Sequence, residues 1–170
     1  MKSLCFTGHR EFADDRDKGR GERLRAYLEK LLKSYVEEKD VTTFYAGGAS
    51  GFDNFAASCV LNVKKTHPEV KLTVVLPFSR EDMSAKWSAK DRKLLMNVCK
   101  LADRVVEEIG EKYSPGCYKK RNQYMVNHAD YCLAWYDEKN REKSGTGQTV
   151  RMALKKGIEV ENIYQSMEES

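Results

Sequence analysis

Strand and helix patterns alternate along the whole chain, and this alternation limits the folds that are available to it. A short apolar run is followed by a segment with helical spacing of apolar residues five times, and a last strand pattern comes after them. The run KLTVVLPF at 71–78 is almost continuously apolar, as expected of a strand that is buried on both faces. Right-handed crossovers then predict an α/β fold, with a mostly parallel, doubly wound sheet of about six strands and helices on both faces.

The pattern also sets approximate element bounds. Ser79 and Asp82 have capping-box spacing and are expected to open a helical region that continues to Leu101. Gly157 is expected to end the last helix, and the strand after it is expected at a sheet edge. The charge-dense stretch EFADDRDKGRGER at 11–23 is interpreted as a solvated loop that leads into a helix. The predicted strands are 3–6, 41–45, 71–78, 104–109, 131–136 and 158–164.

Length and composition indicate a single globular domain over 1–170, with 41% hydrophobic and 33% charged residues. No run of about 18 apolar residues occurs, so a membrane is not an expected partner. The N-terminus enters a strand pattern without the features of a signal peptide, which predicts a cytoplasmic location. Five scattered cysteines without zinc-ligand spacing suit reduced thiols, and no metal site is predicted.

The loop after the second predicted strand has the features of an anion site. Its sequence GGASGFD, at 47–53, places three glycines and an acid between a strand and an alanine-rich helix. Such a turn points backbone N–H groups and a helix N-terminus at an anion. The loop lacks the Lys-Ser/Thr of a P-loop and does not have G-x-G-x-x-G spacing. We therefore expect it to hold the phosphate or ribose of a nucleotide-like ligand.

Ligands of open parallel sheets bind outside the carboxyl ends of the strands, so the loops that follow the strands should meet there. These loops are rich in glycine, hydroxyl groups and arginine: TGHR at 7–10, GGASGFD at 47–53, PFSR at 77–80, GEKYSPGCYKKRN at 110–122 and SGTGQT at 144–149. The predicted ligand-binding residues are Thr7, Gly8, His9, Arg10, Gly47, Gly48, Ala49, Ser50, Gly51, Asp53, Arg121, Asn122, Gly145, Thr146 and Thr149.

Chemistry suggests a role for some of these side chains. Arg121 suits bidentate contact with a phosphate or carboxylate. Asp53 has two interpretations, as a partner of ribose hydroxyls or as a cap and brace of the glycine turn. His9, in the TGHR turn at the expected mouth of the pocket, either holds the ligand or the loop, or has no such role. Hydroxyl donors to phosphate or ribose are expected from Ser50, Thr146 and Thr149.

Three further side chains have a functional and a structural interpretation. Trp87 and Tyr118 either stack on a base or belong to the core, since aromatic residues on helices commonly do. Cys117 is either a plain thiol or a reactive one, because the basic run at 119–121 follows it closely. No catalytic residue is assigned from these patterns.

The ordered motifs TGHR, GGASGFDNFAA, LPF…W, RNQYMV…AD and SGTGQTV extend from Leu4 to about Gly157. In this order they resemble the YpsA-like branch of the SLOG superfamily, which also contains the LOG-type phosphoribohydrolases and the DNA-processing protein DprA. The resemblance implies a Rossmann-like, three-layer α/β/α fold with a pocket for a nucleotide or nucleotide-derived ligand.

The chain departs from the LOG pattern at two positions. The arginine of the helical R-K-x-x-M motif matches Arg121, but its lysine position is Asn122. The position of the LOG catalytic glutamate is Thr149, and a hydroxyl group does not act as a carboxylate base near pH 7. Hydrolysis by the LOG route is therefore not expected, and whether the chain is an enzyme is left open.

The function that the sequence favours is a binding or sensor domain for a nucleotide-derived ligand such as ADP-ribose, NAD or a nucleoside phosphate, with no required cofactor. The alternatives are a phosphoribohydrolase-like enzyme that cleaves an N-glycosidic bond and a DprA-like binder of single-stranded nucleic acid. With 30 basic and 26 acidic residues, the composition does not favour nucleic acid as a partner. A homodimer is the default expectation, and the sequence identifies no protein effector.

Overall fold

The computed structural model describes residues 1–12 and 18–169, and within them six strands form one sheet. The order across the sheet is β4-β3-β2-β1-β5-β6, and each neighbouring pair is parallel. This confirms the predicted parallel α/β architecture. The strands are Lys2–Gly8 (β1), Val41–Ala46 (β2), Lys71–Val75 (β3), Arg104–Val106 (β4), Tyr131–Trp135 (β5) and Glu159–Asn162 (β6).

Helices cover both faces of the sheet. On one face α1 packs on α2 and α2 packs on α4, and on the other face α5 packs on α6. No helix in the described part of the chain is long and apolar enough to cross a membrane. The helices are Lys18–Lys39 (α1), Phe52–Lys64 (α2), Arg80–Ser84 (α3), Ala89–Leu101 (α4), Cys117–Asn127 (α5), Gly145–Lys156 (α6) and Tyr164–Glu168 (α7).

The central strand β1 is buried on both faces because successive side chains point to opposite sides of a strand. Leu4 and Phe6 belong to the core beneath α1 and α2, whereas Cys5 belongs to the cluster beneath α5 and α6. All three side chains are fully buried. The continuous apolar pattern of such strands follows from this double burial.

The helical region predicted from Ser79 is two helices. The Ser79 hydroxyl accepts a hydrogen bond from the Asp82 N–H at 3.3 Å, which confirms the predicted cap. A second cap follows, where Ser88 in extended backbone accepts from the Asp91 N–H at 3.2 Å. The break between α3 and α4 lies at this second serine, whose extended conformation ends one helix and whose hydroxyl starts the next.

The predicted last strand is shorter than expected. Strand β6 lies at the sheet edge, as predicted, but it ends at Asn162 and α7 follows. The Asn162 Oδ1 atom accepts hydrogen bonds from the N–H groups of Tyr136 and Tyr164, each at 3.1 Å. Such local capture of backbone N–H groups by asparagine turns the chain and ends the strand. Gly157 ends α6 with φ 86°, as predicted.

The loop interpretation of residues 11–23 was wrong for its second half, because 18–23 lie in α1. Their helix is continuous with a buried apolar face formed by Leu24, Leu28 and Leu32. Tertiary packing of that face outweighs the low helix propensity of the two glycines in the segment. Residues 13–17 of the same stretch lie outside the described residues.

Candidate functional site

The candidate site lies where the order of the sheet reverses. From β1 the chain continues towards β2, β3 and β4 on one side, whereas β5 and β6 lie on the other side. A cavity of about 320 Å³ lies outside the carboxyl ends of β1 and β5. This is the position at which ligands bind in open parallel sheets. The predicted residues that line it are Thr7, Gly8, His9, Arg10, Ala49, Asp53, Arg121, Asn122, Gly145 and Thr146.

Arg121 and Asp53 form the buried polar floor of the cavity, and each is only 5% exposed. The Arg121 guanidinium donates through Nη1 to the Gly47 carbonyl and through Nε to the Asn122 side chain. Asp53 approaches from α2, and its Oδ1 atom is buried and has no hydrogen-bond partner among the described residues. The floor therefore combines a fixed positive charge with an unused acceptor.

Burial dominates the electrostatics of these two groups. It raises the pKa of Asp53 to about 6, against the opposing effect of the Arg121 charge and of backbone hydrogen bonds from Gly47 and Ala49. Burial also lowers the pKa of Arg121, and the Asp53 charge opposes that change. The bonds to the glycine-turn backbone give Asp53 the bracing role, while its Oδ1 atom has no partner among the described residues.

The N-terminus of α6 supplies a second positive feature. The Ser144 hydroxyl accepts from the Gly147 N–H at 3.1 Å, and the Ser144 carbonyl accepts from the Gln148 N–H at 3.0 Å. Gly145 and Thr146 line the cavity, and their N–H groups have no partner within residues 1–12 and 18–169. Free N–H groups at the start of a twelve-residue helix favour an anion there.

His9 joins the loops at the cavity. Its Nε2 atom accepts from the Asp137 N–H at 2.9 Å, so the neutral ring carries its proton on Nδ1. Burial and the nearby Arg141 charge lower its pKa, which keeps the imidazole neutral at pH 7. The His9 carbonyl accepts from the Phe52 N–H at 3.2 Å. His9 thus connects the loop after β1 to the segment after β5 and to the start of α2, and it also lines the cavity.

Some predicted residues lie beside the cavity and do not line it. A Cβ atom on Gly47 would lie 2.7 Å from Arg121 Nη1 and 2.9 Å from Asp53 Oδ2, so this glycine makes room for the polar floor. Gly48 accepts from the Asn54 side chain at 3.1 Å, and Ser50 is half-buried. Gly51 packs on the Arg10 backbone. These contacts give the glycine turn a packing role within the protein.

Thr149 is also away from the cavity wall. Its side chain is fully buried, and its hydroxyl donates to the Gly145 carbonyl at 3.1 Å within α6. Thr149 stands at the position of the LOG catalytic glutamate. Its hydroxyl therefore already has a partner within the helix. Its predicted contact with a ligand is not favoured by this placement.

Sequence reasoning did not assign several lining residues. The additional lining residues are Glu11, Met125, Arg141 and Ser144, and Tyr118, for which stacking on a base was one of two interpretations, also lines the cavity. Arg141 and Glu11 form an ion pair at 3.2 Å that connects the loops after β5 and β1. Both follow strands in the sequence, so the rule that these loops meet could have included them.

The side chains with two interpretations divide between the cavity and the core. Tyr118 is half-buried, lines the cavity and lies beneath two guanidinium groups, with the Arg10 and Arg121 Cζ atoms 5.1 and 5.7 Å from its ring centre. Trp87 packs against the hydrophobic core. Cys117 is 1% exposed. No group of three potential metal ligands occurs among the residues that the structure describes.

Comparison with known proteins gives matches along nearly the whole chain. The family model described as the YspA SLOG family matches residues 4–166. The uncharacterized SPbeta prophage-derived protein YoqJ of Bacillus subtilis (strain 168) is 33% identical over 144 residues, which are 78% of this chain and 81% of that protein. A UPF0398 protein of Bacillus thuringiensis (strain Al Hakam) is 29% identical over 168 residues, 96% of this chain and 88% of that protein.

Two solved structures share the fold. The DNA processing protein A (DprA) from Streptococcus pneumoniae superposes with a TM-score of 0.64 and 16% identity over 94% of this chain, which is 49% of that chain. DprA from Helicobacter pylori, described for its single-stranded DNA binding mode, superposes with a TM-score of 0.60 and 16% identity. The match covers 94% of this chain and 63% of that chain. This chain therefore spans about half to two thirds of the DprA chains.

Proposed function

This chain belongs to the YspA SLOG family, and from that premise we propose that it is a binding or sensor domain for a nucleotide-derived ligand. The ligand's phosphate would lie between Arg121 and the N-terminus of α6. The observation that carries the proposal is the presence of a buried guanidinium and two unpartnered N–H groups in one cavity.

The charges around the cavity favour an anion. Three arginines and two acids line it, and because Arg141 and Glu11 pair with each other, Arg10 and Arg121 remain against Asp53 alone. The start of α6 adds about 0.3–1 kcal/mol per anionic contact, and up to about 2 kcal/mol where it is partly buried. Hydrogen bonds from a guanidinium to a phosphate oxygen are among the strong ones in proteins.

The unpartnered Oδ1 atom of Asp53 supports a ligand that also carries hydroxyl groups. A buried acceptor without a partner costs about 1–3 kcal/mol or more, and a ribose hydroxyl would remove that cost. Inorganic phosphate alone would leave this oxygen unused. A phosphorylated ribose, as in a nucleoside phosphate, ADP-ribose or NAD, satisfies both the positive charges and the acceptor.

All five cysteines are buried, and none of them forms a disulfide bond among the described residues. Free thiols persist in a reducing compartment. We therefore include a cytoplasmic location in the proposal, with fractionation of the native host as its check.

The proposal is tested at Gly145, the first residue of α6. Proline is accepted at this helical position, and the extended Ser144 before it has the backbone that a following proline requires. G145P removes one N–H group from the cavity, whereas G145A retains it and places its methyl group in open space. The ligands are AMP, ADP-ribose, NAD and ribose 5-phosphate, and binding is measured by thermal shift and calorimetry.

A ligand at about 100 times its Kd stabilises the folded chain by about 2.7 kcal/mol, which raises Tm by roughly 5–10 °C for a domain of this size. We expect G145P to lower affinity by about 10- to 150-fold, the value of one charge-assisted hydrogen bond. G145A should bind like the natural chain. Equal affinities of the two variants would place the phosphate elsewhere, and a flat ligand panel would contradict the proposed ligand class.

A second candidate function is supported by the pKa of Asp53. A carboxyl group that titrates at about 6 can act as a proton donor close to neutral pH, as cleavage of an N-glycosidic bond requires. This phosphoribohydrolase-like activity would release adenine from AMP, with water adding at C1′ of the ribose and the leaving adenine taking the proton. Chromatography of the bound ligands after prolonged incubation tests it, and intact ligand would exclude it for that compound.

Single-stranded DNA is not the ligand that we propose. The likeness to the DprA structures is at 16% identity and concerns the fold. An oligonucleotide is included in the ligand panel, because tight binding that falls steeply with salt would favour the DprA-like alternative.

A further inference from the structure

An exposed tyrosine lies next to the polar cavity. Tyr113, in the segment between β4 and α5, is 63% exposed, which is unusual for so large a side chain in this protein. Its ring centre lies 5.9 Å from that of Phe78 and 6.3 Å from that of Tyr118, and the two neighbours are themselves 5.9 Å apart. We call these three rings the aromatic shelf.

The shelf is continuous with the cavity wall. Tyr118 lines the cavity and packs against Arg10 and Arg121. Phe78 is 7% exposed and meets both tyrosines nearly edge-on, with interplanar angles of 83° and 80°. Tyr113 is thus supported by its neighbours while most of its surface faces solvent. A ring that is supported in this way can receive a flat ligand group at little cost in side-chain entropy.

The cavity itself suits the polar end of a ligand. Its volume of about 320 Å³ is at the lower end for a ligand pocket, and its walls carry the arginines, Asp53 and the start of α6. A nucleobase, by contrast, has two apolar π faces that stack on aromatic side chains. A ligand with a phosphorylated ribose in the cavity would extend its base beyond the wall, and the shelf borders that wall.

We propose that Tyr113 is the stacking residue for the base of the bound ligand. This inference rests on the proposed function and narrows its ligand class to nucleoside phosphates whose base lies outside the cavity, at the protein surface. Stacking is tolerant of base identity. The shelf therefore separates nucleotides from sugar phosphates and gives little discrimination among the bases.

The test compares AMP with ribose 5-phosphate, which lacks the base. Calorimetry gives Kd for both ligands with the natural chain, Y113A and Y113F. We expect AMP to bind the natural chain more tightly than ribose 5-phosphate, and Y113A to weaken AMP binding by about 5- to 100-fold. Ribose 5-phosphate should bind Y113A within about twofold of the natural chain, since stacking does not contribute to its affinity. Y113F retains the ring and should restore AMP binding.

The outcomes separate this inference from the proposed function. Equal binding of AMP and ribose 5-phosphate by the natural chain would overturn the stacking role and leave the phosphate site intact. A parallel loss of both ligands in Y113A would also overturn it, because Tyr113 would then act on the cavity. If neither these two ligands nor ADP-ribose and NAD bound the natural chain, the proposed function itself would fail. The unliganded Tm of each variant verifies that the fold is retained.

Discussion

At the scale of single residues, the folded protein holds an acid in an environment that disfavours its charge. Asp53 is buried, and its pKa of about 6 is above the ordinary value of about 3.9. Between these two values the folded chain binds a proton that the unfolded chain has released. The free energy of unfolding therefore decreases as pH rises through this range. Above pH 6 the full destabilisation from the buried Asp53 charge is present, about 3 kcal/mol.

The variant D53N should remove this pH dependence, because its amide does not ionise and still offers an acceptor to the Gly47 and Ala49 backbone. We expect the natural chain to lose up to about 3 kcal/mol of stability relative to D53N between pH 4 and pH 7. Urea unfolding at intervals over this range measures the difference. Glu11 and Asp103, whose pKa values are lowered by basic partners, are present in both chains and cancel.

Parallel stability curves for the natural chain and D53N would show that Asp53 keeps an ordinary pKa. The proton-donor role in the second candidate function would then lose its support. The phosphate site would be unaffected by that result, since it depends on Arg121 and α6.

The sequence identified Asp53 and Arg121 as site residues because both lie in segments that follow strands, where ligands of open parallel sheets bind. It left the role of Asp53 open, since a brace and a ligand contact require the same residue type. Thr149 shows the opposite limit. Its hydroxyl lies in a motif that is rich in ligand-binding residue types. In the folded helix that hydroxyl donates to the Gly145 carbonyl one turn earlier, and the sequence alone does not distinguish this bond from a ligand contact.

At the scale of elements, the loop after β1 and the start of α2 are packed backbone to backbone. Gly51 has φ 84°, and a Cβ atom on it would lie 2.3 Å from the Arg10 carbonyl oxygen. Gly157 at the end of α6 has a similar φ of 86°, but a Cβ atom on it would meet no atom within 4 Å. The two glycines share a positive φ, but ψ is −129° at Gly51 and 17° at Gly157, so that of the two only Gly51 lies outside the left-handed helical region and against a neighbouring backbone.

We expect G157A to lower the free energy of unfolding by about 1–2 kcal/mol, the conformational cost alone. G51A should cost at least about 1 kcal/mol more, because ψ at this position lies outside the left-handed helical region and because the backbone of the neighbouring loop must move. Chemical denaturation of both variants gives the two values. Equal losses would mean that the backbone at Gly51 and the loop that it touches relax when the methyl group is added, and a larger loss in G157A would contradict the prediction.

Element types were predictable where a local signal was strong. The cap at Ser79, the end of α6 at Gly157 and the six strands follow from capping chemistry and apolar runs. The second cap at Ser88 and the short helix α7 were missed. Each depends on one polar side chain that accepts hydrogen bonds from backbone N–H groups, Ser88 before α4 and Asn162 before α7. A single polar residue is a weaker signal in the sequence than the apolar pattern around it.

At the scale of the whole molecule, the sheet order assembles the site from distant parts of the chain. Strand β1 pairs with β5, so the segments that follow Gly8 and Trp135 become neighbours. The ion pair between Glu11 and Arg141 and the hydrogen bond from Asp137 to His9 hold these segments together. Parallel topology could be predicted from the alternating pattern, and with it the meeting of the loops. Which side chains fill the walls depends on loop conformations that the pattern does not specify.

This assembly predicts where a bound nucleotide protects backbone amides from hydrogen exchange. With saturating AMP we expect slower exchange in 7–12 and 141–149, since those loops form the cavity walls. The exchange rates of residues 89–101, which lie away from this cavity, provide the internal comparison. Helix α4 borders a separate basic groove of about 680 Å³, where Lys90, Lys93 and Lys100 would also attract a phosphate. Protection confined to α4 would move the site to that groove, whereas joint protection of the two distant loops requires a ligand at the β1–β5 crevice.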